Sequence, residues 1–247
     1  MSPMYSDQEH IVSAYDRDLE AIQALVMRMG GLVEAAILDS ARALETRDVE
    51  LAEKVRAGDR TVDELEVQIN EECARTIAIR GPVSQDLRVL LTVFRLSGSL
   101  ERVGDYAKNM AKRTSVLVEM RPLPGADSAL RRMAREVQLM LKDTLDAYVR
   151  RDAELAEDVR QRDHDVDQMY NAIFREFLTF MMEDPRNITG CMHLHFIAKN
   201  IERMGDLVTN MAEQVIYLVT AKMPDDSRPK GDETPYMRAE ASDDKGE

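Results

Sequence analysis

The sequence predicts an all-α fold, two tandem three-helix bundles made of six long helices related by an internal repeat. Three observations predict it. Charged residues make up 32% of the 247 positions and aromatics only 5%, with no Trp, 16 Met, 11 Gly and 8 Pro, a balance that favours long amphipathic helices over strands. Apolar residues recur at helical spacing through both halves of the chain. The segment LERVGDYAKN, Leu100 to Asn109, returns as IERMGDLVTN, Ile201 to Asn210.

From Tyr15 the positions Leu19, Ile22, Val26, Met29, Val33, Ile37 and Leu44 predict a first helix reaching Thr46. Asp48, a good N-cap residue, opens a second with Leu51, Val55, Val62, Leu65, Ile69 and Cys73 on one face, and Gly81-Pro82 stops it. A third runs from about Ser84 to Val118, with Val89, Val93, Leu96, Leu100, Val103, Ala107 and Met110 as its stripe. Arg121 to Asp127, RPLPGAD, is a linker rich in turn formers.

The order then repeats. Helices are predicted from about Asp127 to Arg150, from Asp152 to about Met182, and, after a break at EDPRN, from about Thr189 to Ala221. RDVELAEKVRAGDRTVD from Arg47 and RDAELAEDVRQRDHDVD from Arg151 agree at 11 of 17 positions, beyond what shared helicity produces. Residues 1–120 therefore form the first repeat, 127–222 the second and 223–247 a disordered acidic tail. Each three-helix unit is thin, which predicts packing between the halves or between subunits.

The composition also narrows function. A formal net charge of −13 argues against a sequence-independent grip on nucleic acid and suits cations or basic partner surfaces. Cys73 and Cys191 are the only cysteines, too few for a disulfide scaffold. No leader pattern precedes Tyr15, and no apolar run is read as approaching the roughly 18 residues of a membrane span. The cytoplasm is the expected location.

Glu101 and Asp105 lie four residues apart, so one helical face carries both, about one turn apart. Glu202 with Asp206, Asp59 with Asp63, and Asp163 with Asp167 repeat the spacing at equivalent positions. A helical wheel places Glu101 and Asp105 opposite the apolar stripe, outside the core, and Asp59 and Asp63 at the edge of theirs, so each repeat could gather four carboxylates in a surface groove. Such clusters need a counter-charge, and all-oxygen ligation favours hard cations such as Mg²⁺, Mn²⁺ or Fe³⁺, although Zn²⁺ also accepts carboxylates. Asn109 and Asn210 extend the rows by one turn and could add an amide oxygen. Gly104 and Gly205 each sit inside a helix at a cost of about 0.5–1 kcal/mol relative to Ala, so something approaches the backbone there, a packed helix or an ion.

The chain contains no Glu-x-x-His of the di-iron bundles, no Walker loop, no dinucleotide fingerprint and no nucleophile elbow. Cys191, His193 and His195 alternate, which on a helix sends neighbours to nearly opposite sides. No catalytic role is expected.

The stretch from Ile79 to Ala111, followed a repeat later by NIERMGDLVTNMAEQ, resembles the PhoU family, accessory proteins of bacterial phosphate transport. The resemblance covers roughly Asp18 to Ala221 and rests on the Pro-x-x-x-Asp-Leu-Arg segment, Pro82 to Arg88, combined with the doubled Glu-Arg-x-Gly-Asp. It implies two three-helix bundles whose carboxylate clusters hold metal ions, with Asp59, Asp63, Glu101, Asp105, Asp163, Asp167, Glu202 and Asp206 at the motif positions. It implies repression of the phosphate-starvation response when phosphate is plentiful. The partners it implies are the ATPase subunit of a Pst-type ABC phosphate transporter and a sensor histidine kinase, with peripheral membrane association only and a homodimer. The alternatives are an accessory protein of another phosphate or cation transporter, and a metal-dependent hydrolase of phosphate compounds. Two departures stand out: Gly81 where the family commonly has Gln, and DPRNITGCMHL where the second repeat would carry Asp-Leu-Arg.

Overall fold

The computed structural model describes residues 4–224. Among these residues there are six α-helices and no strand: α1 (Met4–Thr46), α2 (Val49–Arg80), α3 (Gln85–Leu117), α4 (Ala126–Arg150), α5 (Ala153–Glu183) and α6 (Ile188–Thr220), with a 3₁₀ turn at Pro185–Asn187. Five of the six helices match the expected spans closely, whereas α1 starts at Met4 rather than near Tyr15. Neither Gly nor Pro occurs between Met4 and Tyr15, so nothing there breaks the helix once it has nucleated. The tail expected over 223–247 lies, from residue 225 onward, outside the described residues.

The duplicated Arg-Asp dipeptide turns out to be a corner. Arg47 and Arg151 both adopt left-handed backbone, φ 54° and 57°. The next amide then bonds back to the preceding helix, Asp48 N to Ala43 O at 2.9 Å and Asp152 N to Ala147 O at 3.0 Å, closing its last carbonyls. The same aspartate starts the next helix: the Asp48 carboxylate accepts from Leu51 N, and Asp152 accepts from Glu154 N and Leu155 N. Arg47 also donates to the carbonyls of Leu117 and Met120, fixing the α1–α2 corner to the end of α3. Gly81, φ 56°, ends α2 in the conformation that glycine adopts without a Cβ clash, and Pro82 follows where the helix cannot continue.

Within each repeat the three helices pack on one another, and across the repeats α1 packs on α4 and α3 on α6. Both cross-repeat pairs run antiparallel. Arg131 of α4 meets Glu45 of α1 and Gln138 meets Glu34, while on the other seam Arg95 of α3 meets Gln214 of α6 and Arg113 meets His193. The halves are thus related by an approximate two-fold, with α2 and α5 on the flanks. One continuous core runs through both, from Val26, Met29 and Ile37 through Leu96 and Leu100 to Leu141, Phe177 and Val208. The packing between halves expected from the thin repeat unit is what closes the core.

One expectation needs correcting. A window within Tyr15–Thr46 has a mean hydropathy of 1.5 and few enough charges to match a membrane span by length and composition. Its sequence reads as interrupted because Arg28 and Glu34 fall among the apolar residues. Ile22, Val26, Met29, Val33 and Ile37 of that helix are all buried in the bundle, the pattern of a core helix.

Candidate functional site

In the first repeat α2 supplies Asp59 and Asp63 and α3 supplies Glu101 and Asp105, at the α2–α3 crossing. Gly104 lets the helices approach: a Cβ there would lie 3.4 Å from Val62 Cγ1 and 3.6 Å from Asp59 Oδ1. Asp59 is only 6% exposed, whereas Asp63 is on the surface and Glu101 and Asp105 are half-buried. A buried carboxylate needs a partner. Lys108 provides it, its Nζ donating to Asp59 Oδ2 at 2.5 Å and to Asp105 Oδ1 at 3.1 Å. Those bonds hold the Lys108 ammonium well above the ordinary lysine pKa.

The cluster remains over-acidic around that lysine. Burial, then the charges of Asp59, Asp105 and Glu66, raise the Asp63 carboxyl, with Lys108 opposing. Burial, then Asp105, Asp63, Glu66 and Asp59, raise Glu101. Sequence reasoning missed both Glu66 and Lys108. Glu66 stands three residues after Asp63 and Lys108 three after Asp105, the helical-neighbour spacing that could have found them.

The second repeat reproduces the crossing with different polar companions. A Cβ on Gly205 would meet Val166 Cγ1 at 3.3 Å and Asp163 Oδ1 at 3.7 Å, the counterparts of Val62 and Asp59. Here the carboxylates go deeper: Asp163 and Asp167 are each 8% exposed and Glu202 6%, while Asp206 is half-buried. The helical-wheel placement of Glu101 and Asp105 outside the core does not carry over to their counterpart Glu202, which is buried where α5 packs on α6. Lys199 Nζ donates to Glu202 Oε1 at 2.8 Å and stands 4.9 Å from the centre of the Tyr170 ring. Asn171 continues the Asp163–Asp167 row and is buried too, another residue the acid pattern did not include.

Asn109 and Asn210 are exposed, and Asn109 lines a separate hollow with Lys112, Arg113, Val116 and His193. Cys191, His193 and His195 diverge as the helical spacing requires: Cys191 is buried, His193 meets Arg113, and His195 lies among the rings of Tyr170 and Phe174. Burial pushes the Cys73 thiol up to about 12 and raises that of Cys191.

As the side chains stand, no three Asp, Glu, His or Cys among the described residues converge on one point as ligands to an ion would. The donor chemistry nevertheless fits a hard cation. The first crossing brings five carboxylates, Asp59, Asp63, Glu66, Glu101 and Asp105, within electrostatic reach of one another, and the lysine cation already there leaves Asp63 and Glu101 raised.

The comparisons with known proteins bear on the same residues. The PhoU domain family matches residues 26–114 and again 130–215, so each match contains one carboxylate crossing. The chain is 45% identical over 224 residues to the phosphate-specific transport system accessory protein PhoU homolog of Caulobacter vibrioides, covering 91% of this chain and 97% of that one. It is 44% identical over 225 residues to the homolog of the same name from Rhizobium meliloti, covering 91% and 95%. Among solved structures, PhoU from Pseudomonas aeruginosa superposes with a TM-score of 0.81 at 38% identity, covering 84% of this chain and all of that one. The phosphate transport system regulatory protein PhoU from Streptococcus pneumoniae gives 0.79 at 27% identity, covering 85% and 99%. With the PhoU domain matched in both repeats and the fold shared over most of its length, the chain belongs to the PhoU family.

Proposed function

We propose that this chain is an accessory and regulatory protein of phosphate transport, acting in the cytoplasm as a repressor of the phosphate-starvation response when phosphate is plentiful. It couples the ATPase subunit of a Pst-type ABC phosphate transporter to a sensor histidine kinase, as a homodimeric adaptor rather than an enzyme. One observation carries the reading: both repeats match the PhoU domain, and relatives aligned over 91% of the chain are named phosphate-specific transport system accessory protein PhoU homolog.

In this reading the carboxylate crossings are metal centres. Asp59, Asp63, Glu101 and Asp105 hold the ion or ions of the first repeat and Asp163, Asp167, Glu202 and Asp206 those of the second, with Asn109 and Asn210 one turn beyond. A bound hard cation would supply the counter-charge that lets these carboxylates draw together and fix the α2–α3 and α5–α6 surfaces that partners read.

The test is secreted phosphatase activity in cells lacking this gene, grown in ample phosphate, beside cells with the gene restored. High activity suppressed by the restored gene is expected. Activity that the deletion leaves unchanged would remove the repressor role. Restoring the gene with Glu101→Ala and Asp105→Ala together separates the metal reading: full repression at unchanged metal content by that variant would sink it.

A further inference from the structure

The approximate two-fold relates the two ends of the α3–α6 seam, and their charges differ. At one end Asn109, Lys112, Arg113 and Val116 of α3 and His193 of α6 line a hollow of about 300 Å³. In the register that pairs Glu101 with Glu202, the other end carries Asn210, Glu213, Gln214 and Tyr217 opposite Thr92. At that second end the α6 side chains pair within the protein: Glu213 accepts from Arg160 at 3.3 Å and Gln214 accepts from Arg95 at 2.8 Å. The first end keeps its positive charge. Neither Lys112 nor Arg113 has a carboxylate at ion-pair distance among the described residues, in a protein of net charge −13 where carboxylates are plentiful.

Arg113 is half-buried, which lowers its pKa from the ordinary arginine value by desolvation. Its position is nonetheless fixed. The guanidinium carbon lies 4.4 Å from the centre of the Phe196 ring, and Nη1 donates to His193 Nδ1 at 3.2 Å. That bond requires the imidazole proton to sit on Nε2, making Nε2 a second donor. The remaining guanidinium N–H groups meet no acceptor among the described residues. A planar fork held by stacking, an ammonium one residue away, an imidazole N–H and an amide around one small hollow form a donor set for a tetrahedral oxyanion.

We propose that this hollow is a binding site for a small phosphate dianion, held by Arg113 and Lys112 with His193 and Asn109 completing the donors. The phosphate is either free inorganic phosphate or the phosphoryl group of a small ester. The proposal goes beyond the regulatory reading and does not depend on metal in the carboxylate crossings, with which the site shares only Asn109 at its edge.

Calorimetric titration of the full chain tests it, after chelator treatment so that metal-bridged phosphate at the crossings does not contribute. The probes are inorganic phosphate and, in parallel, glycerol phosphate. Saturable binding is expected with Kd below about 1 mM. Lys112→Gln and Arg113→Gln should each weaken it by about tenfold or more, while Tyr217→Phe at the other end leaves it unchanged. Lys112 is exposed, so Lys112→Gln keeps the fold, checked by an unchanged helical melt. Binding of inorganic phosphate alone identifies free phosphate as the ligand, and comparable or tighter binding of the ester identifies a phosphoryl metabolite; both support the site. The proposal is overturned if neither probe binds up to about 10 mM, or if binding is indifferent to Lys112→Gln and Arg113→Gln.

Discussion

Asp63 and Glu101 carry the electrostatic cost of the first crossing in their raised carboxyl pKa values, burial acting first and the neighbouring acids second. The sign for stability follows from proton counts. Between the ordinary carboxylate pKa and the raised folded value, the native chain binds more protons than the unfolded one, so this contribution to stability falls as pH rises through that window and returns on acidification. Asp63→Asn removes the repulsion. Metal-free Asp63→Asn protein should therefore gain on the wild type in thermal unfolding as pH rises above the ordinary carboxylate value of about 4, with a constant difference once the raised carboxyl is fully ionised. Asp63 is exposed, so screening limits the neutral-pH gain to about 0.3 kcal/mol. If a divalent cation binds the crossing, excess cation should stabilise the wild type more than the variant and reduce or invert that gap. A variant less stable than wild type in chelator at neutral pH would mean that Asp63 makes a favourable contact stronger than the repulsion.

The two glycines belong to the scale of packed helices. A methyl on Gly104 would sit at ordinary contact distance from Val62 and the Asp59 carboxylate, and alanine is the better helix former by about 1 kcal/mol. Gly104→Ala should therefore raise the melting temperature, by about 2–4 °C for a chain of this size. Gly205→Ala, with Val166 at 3.3 Å, should gain less. A melting temperature lowered by Gly104→Ala would show that α2 and α3 cannot accommodate even one carbon. Helices were also what the sequence conveyed best. Asp48, Asp152 and Gly81-Pro82 mark ends by local chemistry, and local chemistry operates the same way whatever packs outside. The site was legible only where one helix decides: the acid pairs are real neighbours along α2, α3, α5 and α6. The burial of Glu202 depends on how α5 lies across α6, and no single helical wheel contains that information. Lys108 escaped notice for a related reason, since an i,i+3 lysine reads as surface solubility until its reach across to Asp59 is seen.

The whole molecule is held by what its two repeats share. α1 approaches α4 so closely that a Cβ on Gly30 would come within 2.4 Å of Leu145 Cδ1, and α3 lies along α6 for most of its length. Buried residues of the first repeat, Val33, Leu96 and Leu100 among them, belong to the same continuous cluster as Met133, Leu141 and Val208 of the second. Cutting the chain in the linker would expose an apolar seam on both α1 and α3, and a small three-helix unit buries too little of its remaining surface to offset that loss. A fragment of residues 1–120 should accordingly fail to melt cooperatively as a monomer, or should dimerise to replace the missing half. The full chain should unfold in one transition, its denaturant slope reflecting both repeats together. Sedimentation and circular dichroism of the fragment decide the matter. A monomeric fragment that melts cooperatively within about 10 °C of the full chain would mean that each repeat owns its core, and that the seam between them is an interface between domains rather than the centre of one.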